Sequence, residues 1–338
     1  MSRTIRPASA SVAVRRDAAA LTHPDRVLFA DVGLTKADLQ RYYARVREVL
    51  WPQLEGRPLS VLRAAGPGKT FFQRHAAEQY PALFLPVPGI QGEARPWMRL
   101  REVEAIEGLA QPGIVELHAW STRLPRLGDA DRLVFDLDPD PALDWPRVRD
   151  AALRVRGLLD SLGLDTRLKT SGGAGLHVVA PLAPVATQAV VAAVAEAIAR
   201  HLACVAPREF TATRGAPHRR GRVFIDWLRN GYAASTVAAW SPRLRPGAPV
   251  SMPLDWDELG AQDLRHAHFN LRNAPQRLAE RGDPWLRRTI GRQTLTASIR
   301  SRIAALSQGK PTTRGGGPRV RPGRSAPRPG GSAPTRSP

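Results

Sequence analysis

The chain has 338 residues, room for one large domain or two smaller ones, and 43% of them are hydrophobic, which excludes a wholly disordered protein. Its formal charge is +20, carried by 46 arginines and four lysines. That balance favours a polyanionic partner, because a guanidinium offers phosphate a planar fork of donors. One cysteine, Cys204, excludes an internal disulfide framework and a multi-cysteine zinc site.

Residues 1–20 contain no apolar run long enough for a signal peptide and read as a flexible arm. Thr35-Lys36-Ala37-Asp38 has the form of a capping box, with Asp in place of Glu or Gln. Leu39, Tyr42, Tyr43, Val46 and Leu50 then mark one face of a helix. Arg132–Asp138 reads as a strand, and Asp144 and Pro146 open a helix that stops at Gly163. Leu176–Leu182 reads as a second strand. Val185–Val205 is the most apolar stretch, but Gln188, Glu196, Arg200 and His201 interrupt it. The expectation there is a core helix near 187–203, not a membrane span, with Cys204 inert in its packing. Arg222–Leu228 is a third strand and Thr236–Trp240 a fourth. Residues 309–338 hold Lys310, six arginines and no acid, so +7 of the +20 lies there. This segment reads either as a DNA tether or as a solvated linker. The expected organisation is an arm at 1–20, one α+β catalytic domain at 21–305 and a disordered basic tail at 306–338.

Several residue groups carry chemistry. Asp136 and Asp138 end an apolar run at i and i+2, so a strand projects both to one side. Two such carboxylates repel each other unless a cation lies between them, and hard oxygen ligands favour Mg²⁺ or Mn²⁺. A polar strand end entering an Asp-Pro turn is the alternative. Lys169 to His177 (KTSGGAGLH) packs three glycines into four positions, which lets backbone N–H groups approach an anion, with Ser171 as a hydroxyl donor. No Gly-Lys-Ser/Thr follows, so it is not a Walker loop, and a plain hairpin connection is the alternative. Asp226 is a lone charge in the apolar run VFIDW, costly unless paired, metal-bound or on a solvent face. Arg243 and Arg245 are spaced to clamp a triphosphate or simply to sit exposed. His266 and His268 form an H-x-H pair with no third ligand nearby, which makes metal binding there a poor fit.

The order LVFDLDPDP, KTSGGAGLHVVAPL, GRVFIDWLRN and SPRLRPGAPVSMPLDWDEL closely resembles the polymerase domain of bacterial ligase D, within the archaeo-eukaryotic primase superfamily. The resemblance extends from THPDRVLF through LTKADLQRYY, GRPLSVLR, FFQRHA and GIVELHAW to LRNAPQRLAERGDPW, about residues 20 to 290. It implies a primase-polymerase fold, with two mixed or antiparallel sheets and flanking helices around a catalytic cleft, one half being RRM-like. It implies nucleotidyl transfer in which a primer 3′-hydroxyl attacks the α-phosphate of an NTP or dNTP. Asp136, Asp138 and Asp226 match the family's metal carboxylates, which implies two Mn²⁺ or Mg²⁺ ions. Ser171, Gly172 and His177 match the triphosphate loop, Arg243 the arginine clamp, and His118 a histidine near the nucleotide. Arg63 and Arg245 are further nucleotide contacts on this reading. Phe71 and Phe72 match a base-stacking platform, and Lys36 a contact to a DNA 5′-phosphate. The ordinary alternatives are core packing for Phe71 and Phe72, a solvated helix-start charge for Lys36 and a satisfied strand histidine for His118.

The sequence departs from the family pattern at Trp240, where Tyr is usual, at Ala174, where Lys is common, and across 211–222. It contains no Lys-x-Asp-Gly adenylation motif. The resulting expectation is a stand-alone, cytoplasmic, nucleoid-associated polymerase that fills gaps and extends broken ends in bacterial non-homologous end joining. Its partners would be DNA, Ku and a separate ATP-dependent ligase, with no membrane. A non-catalytic end-binding protein that keeps the fold is the principal alternative, and a haloacid-dehalogenase-type phosphatase on the DxD is another, although Pro139-Asp140 fits that motif poorly.

Overall fold

Helix Lys36–Leu54 begins at the expected capping box: Thr35 Oγ1 accepts from the Asp38 amide, and Asp38 accepts from the Thr35 amide at 2.8 Å. Its apolar face, Leu39, Tyr42, Tyr43, Val46 and Leu50, is buried. Tyr43 Oη donates to the carbonyls of Ile114 and Val115, and Tyr42 Oη donates to the Trp240 carbonyl at 2.7 Å. The helix is therefore bonded both to an adjacent strand and to a loop some two hundred residues away.

This computed structural model describes residues 21–308 apart from 67, 76, 77, 262, 263, 266 and 292. The expected arm at 1–20, His266 and the tail from 309 onward lie outside the described residues. Helix Ala297–Gln308 runs past the expected domain end at 305.

Two sheets carry the fold. The first has the strand order Ser235–Val237, Ile114–Trp120, Leu59–Gly66, Trp97–Leu100, Phe84–Val87, and Lys69–Gln73 hairpins onto Leu59–Gly66. The second has the order Phe210–Thr211, Val223–Asp226, Arg126–Pro139, Leu176–Thr187, Arg167–Thr170, Pro253–Leu254. Its one parallel pair joins Phe210–Thr211 to Val223–Asp226, and its other pairs are antiparallel. Helices Trp145–Ser161 and Gln188–Val205 pack on this second sheet. The expected α+β class with two mixed or antiparallel sheets and flanking helices is what the chain adopts.

Element boundaries moved where side chains replaced backbone pairing. The expected strand 222–228 is only Val223–Asp226, followed by a 3₁₀ turn at Trp227–Asn230. Asp226 accepts from the Leu228 amide and starts that turn. The Asn230 side chain then takes the place of a strand neighbour, accepting from Val134 N and donating to Val134 O. The expected strand 236–240 is Ser235–Val237, because the chain turns away through Trp240 at φ +69, outside the strand region. The first long strand is longer than expected, Arg126–Pro139.

Helix Gln188–Val205 is long and apolar enough to cross a membrane by length and composition. Here it is a core helix: Val191, Val194, Ala195, Ile198, Ala199 and Leu202 are buried, and it packs against Ala297–Gln308 and the 3₁₀ turn. Cys204 is exposed, which corrects the expected inert core position; two residues past buried Leu202, it faces away from the packed side.

A buried ion pair joins the chain entering the first sheet to the long strand of the second. Arg57, 1% exposed, donates to the Asp131 carboxylate and to the carbonyls of Trp120 and Thr122. Asp131 also accepts from Arg123 Nε at 3.0 Å. Removing one partner of such a pair leaves the other charge uncompensated. Asp131→Ala is therefore expected to cost about 3–5 kcal/mol of unfolding free energy, read as a lowered denaturant midpoint.

Candidate active site

The pleat of Arg126–Pro139 sorts its residues. Phe135 and Leu137 go to the core and are fully buried, while Asp136 and Asp138 turn to the opposite face. Antiparallel register places Asp226 directly across from Asp136, and His177 across from Asp136 on the other side. One carboxylate oxygen from each of Asp136, Asp138 and Asp226 lies within 4.8 Å of the others. This is the one such acidic, His or Cys cluster among the described residues.

The electrostatics are those of a cation site. Burial pushes the Asp138 carboxyl up to about 6, with Asp136 and Asp226 adding repulsion. Burial also raises Asp226, against the pull of Arg229. Burial works in the same direction on Asp136, but His177 and Arg229 outweigh it and hold that carboxyl well below its ordinary value. The Arg229 guanidinium stands where a cation is needed, its Nε 3.2 Å from Asp136 Oδ2 and 2.9 Å from Asp226 Oδ2. His177 Nε2 is 3.1 Å from Asp136 Oδ1. A hard, oxygen-rich donor set in which one cationic side chain already bridges two acids fits Mg²⁺ or Mn²⁺.

A cleft of about 380 Å³ opens beside the carboxylates, lined by His118, Ser171, His177, Arg229, Arg243 and Arg245 among others. The glycine loop forms one wall. Ser171 Oγ accepts from the amides of Gly173 (3.0 Å) and Gly175 (3.2 Å), which closes the loop and leaves the hydroxyl proton available to donate. Two glycines are required. A Cβ at Gly172, which has φ +65, would lie 2.5 Å from Arg243 Cγ, and one at Gly175 would lie 1.9 Å from the Leu137 carbonyl oxygen. Arg243 donates to the Ser171 carbonyl and, through Nε, to Glu116 at 3.0 Å. Arg245 lies over Gly173, with Nη1 3.2 Å from where a Cβ would stand. A second cleft of about 300 Å³ shares Asp138, Arg219 and Arg229 with the first and adds Asp226 and Arg214. The three carboxylates thus sit where two basic clefts meet.

The fold brings together Asp136, Asp138, Asp226, Ser171, Gly172, His177, His118, Arg243 and Arg245. It separates others. Phe71 and Phe72 are 50% and 60% exposed, which rules out core packing. As successive residues of one strand they leave opposite faces of the hairpin. Phe72 packs edge-on to His118 at 5.7 Å, whereas Phe71 lies under Arg63. Arg63 also donates to Tyr80 Oη at 3.0 Å and does not line either cleft. Lys36 is buried rather than solvated, and its ammonium donates to the Thr22 carbonyl (2.7 Å) and Gln111 Oε1 (3.2 Å). A phosphate contact from Lys36 would have to share the ammonium with those bonds. His268 packs against Phe269.

Sequence reasoning missed Arg229, Arg219, Glu116 and the role of Lys169, whose buried Nζ donates to Ser251 Oγ at 2.7 Å beneath the loop. Glu116 had a readable signal, because it sits two residues before His118 in an apolar run and so shares its face. Arg229 had none: the 3₁₀ turn that returns it to Asp226 shows only in three dimensions.

The raised Asp138 carboxyl has a consequence for metal binding. Its folded pKa of about 6 lies above the ordinary value of 3.8, so metal-free stability falls as pH rises through that window. Mg²⁺ or Mn²⁺ needs the ionised form, so binding at pH 5.5 is expected to release close to one proton and at pH 8 almost none. Titration calorimetry in buffers of different ionisation enthalpy measures this.

A family model described as the LigD primase-polymerase domain matches residues 35–285. The chain is 40% identical over 291 residues to the multifunctional non-homologous end joining protein LigD of Pseudomonas aeruginosa, covering 84% of this chain and 34% of that protein. It is 34% identical over 271 residues to the protein of the same name from Mycolicibacterium smegmatis, covering 78% of this chain and 35% of that protein. It therefore spans about a third of the length of these curated relatives. A solved structure of the polymerase domain from Mycobacterium tuberculosis ligase D in complex with DNA superposes with a TM-score of 0.74 at 31% identity, covering 79% of this chain and 96% of that one. A family match across most of the chain, together with a fold shared over nearly the whole of that solved domain, shows that this chain belongs to the LigD primase-polymerase domain family, a family of polymerase-type nucleotidyltransferases.

Proposed function

We propose that this protein is a template-directed nucleotidyltransferase that adds NTPs or dNTPs to a primer 3′-hydroxyl at gaps or broken DNA ends. The observation that carries this reading is the position of Asp136, Asp138 and Asp226 at the junction of two basic clefts. Transfer between two polyanionic substrates needs such a junction. The solved neighbour that contains DNA supports a nucleic-acid substrate.

Asp136, Asp138 and Asp226 would hold two Mn²⁺ or Mg²⁺ ions, which would supply activation of the attacking hydroxyl and neutralisation of charge on the leaving pyrophosphate. The protein's own residues bind and orient. Arg243 and Arg245 face the triphosphate from one wall of the first cleft, and the Ser171 hydroxyl and the loop around Gly172 face it from the other. His177, bonded to Asp136, joins that loop to the metal carboxylates. His118 closes the sugar and base end beside Phe72. Arg214 and Arg219 face the second cleft, where the primer end would enter. The new bond joins the primer 3′-oxygen to the α-phosphorus, and the bond from that phosphorus to pyrophosphate breaks.

The family match supports a role in non-homologous end joining, and the same reading puts the protein in the cytoplasm at the nucleoid, beside Ku and a separate ATP-dependent ligase. Residues 21–305 are read as the catalytic domain, and the basic segment after it as either a DNA tether or a solvated linker.

A 5′-labelled primer annealed across a short gap, with a downstream 5′-phosphate, tests the activity with NTPs or dNTPs and either metal. Template-directed extension is expected for the wild type, and Asp136→Ala is expected to abolish it while DNA affinity changes less than about threefold. Tight DNA binding by a wild type that extends nothing would overturn the reading in favour of a non-catalytic end-binding protein, and undiminished extension by Asp136→Ala would remove that carboxylate from the reaction. Phe72→Ala is expected to weaken binding of gapped DNA about 5- to 150-fold, the loss of one base stack of about 1–3 kcal/mol. Phe71→Ala is expected to do less, since that ring leaves the face opposite His118 and packs with Arg63; fluorescence anisotropy compares the two.

A further inference from the structure

Three hydrogen-bond donors converge on a buried carboxylate that the reaction does not itself require. Glu116 is 4% exposed on strand Ile114–Trp120. Its Oε2 accepts from His118 Nε2 at 2.9 Å and from Arg243 Nε at 3.0 Å, and its Oε1 accepts from the Leu244 amide at 2.8 Å. Arg243 then bonds to the Ser171 carbonyl in the glycine loop of the other sheet. Glu116 is thus the fixed end of a chain that runs across the cleft from one sheet to the other. Burial alone would raise this carboxyl, but His118, Arg243 and the Leu244 amide outweigh it and hold it at about 2.

We propose that Glu116 is a positioning residue for the incoming nucleotide: it fixes the orientation of Arg243 and His118 in the cleft and keeps the His118 proton on Nε2. This rests on the cleft being the nucleotide site. An ionised acceptor at Nε2 requires a hydrogen there, so a neutral His118 presents Nδ1 as a bare acceptor. Arg243, held through Nε and Nη1, keeps its remaining Nη2 hydrogens for an oxyanion. A carboxylate beside a triphosphate site would ordinarily repel the ligand. Here its charge is already matched by Arg243, so its effect is geometric. Glutamine cannot replace it. Whichever way the amide is turned, its NH₂ group meets either the Leu244 N–H or the Arg243 Nε–H, and one buried donor is left opposed.

The test compares Glu116→Gln and Glu116→Asp with wild type in four readouts: nucleotide KM and kcat in gap extension, nucleotide binding by calorimetry with Mn²⁺ and no DNA, gapped-DNA affinity, and the His118 tautomer by imidazole ¹⁵N NMR. Glu116→Gln is expected to raise nucleotide KM and Kd about tenfold or more, with kcat and DNA affinity within about threefold. It is also expected to weaken the Nε2–H preference of His118, because a neutral amide oxygen or, with the amide turned, an NH₂ group replaces the carboxylate there. Glu116→Asp, which keeps the charge and both oxygens, is expected to retain that tautomer and recover part of the affinity, and it serves if the Gln variant fails to fold. A folded Glu116→Gln variant with wild-type KM and an unchanged tautomer would overturn the proposal. So would parallel losses of nucleotide affinity, DNA affinity and thermal stability, the mark of a purely structural role. If the wild type neither extends primers nor binds nucleotide, the polymerase reading fails, and the His118 tautomer in the variants still decides whether Glu116 positions it.

Discussion

Three carboxylates with oxygens within 4.8 Å of one another are the constraint around which the site is arranged. Asp136 and Asp138 are placed by the pleat of one strand, and Asp226 by register with its neighbour, so the backbone ladder itself forces the groups together. Like charges at that spacing raise one another's pKa and weaken the fold unless positive charge intervenes. The surroundings answer in layers. Arg229 bridges two of the acids, His177 bonds a third oxygen, and Lys169 lies beneath the loop. These groups offset Asp136 most, while burial and the two neighbouring carboxylates keep Asp138 raised.

Charge also joins the two sheets. At the base, Arg57 and Asp131 form a buried pair between the entry to the first sheet and the long strand of the second. At the cleft, Glu116, Arg243 and Ser171 form a hydrogen-bonded chain between the same two layers. Strand Ser235–Val237, which follows Asp226 in the chain, crosses to pair with Ile114–Trp120. The distance between Arg243 and the carboxylates is therefore set by several independent connections, which suits a reaction in which the protein mainly positions its substrates.

The glycine loop shows how closely packing and function coincide. Gly175 lies against the carbonyl of Leu137, the residue between Asp136 and Asp138, and Gly172 lies against Arg243. A side chain at either position would push the loop away from both the carboxylates and the arginine. The same small residues that let backbone N–H groups approach an anion let the loop fit into the sheet.

Much of this could be read from the amino-acid order. The i, i+2 spacing of Asp136 and Asp138, the capping box at Thr35, the three glycines after Ser171 and the run of matching motifs depend on local periodicity and chemistry, which survive in one dimension. They identified the fold class and most of the cleft. Side-chain direction at longer range did not survive. The placement of Phe71 and Phe72 on opposite faces, the capture of the Lys36 ammonium by Thr22 and Gln111, and the exposure of Cys204 depend on neighbours from distant segments. Arg229 joins the carboxylates only because Asp226 caps a turn and Asn230 substitutes for a strand neighbour of Val134. The sequence by itself determined which ionisable groups were available and which of them shared a strand face. The tertiary structure alone decided which opposite charges met, because that depends on strand register and on side chains brought together across two sheets.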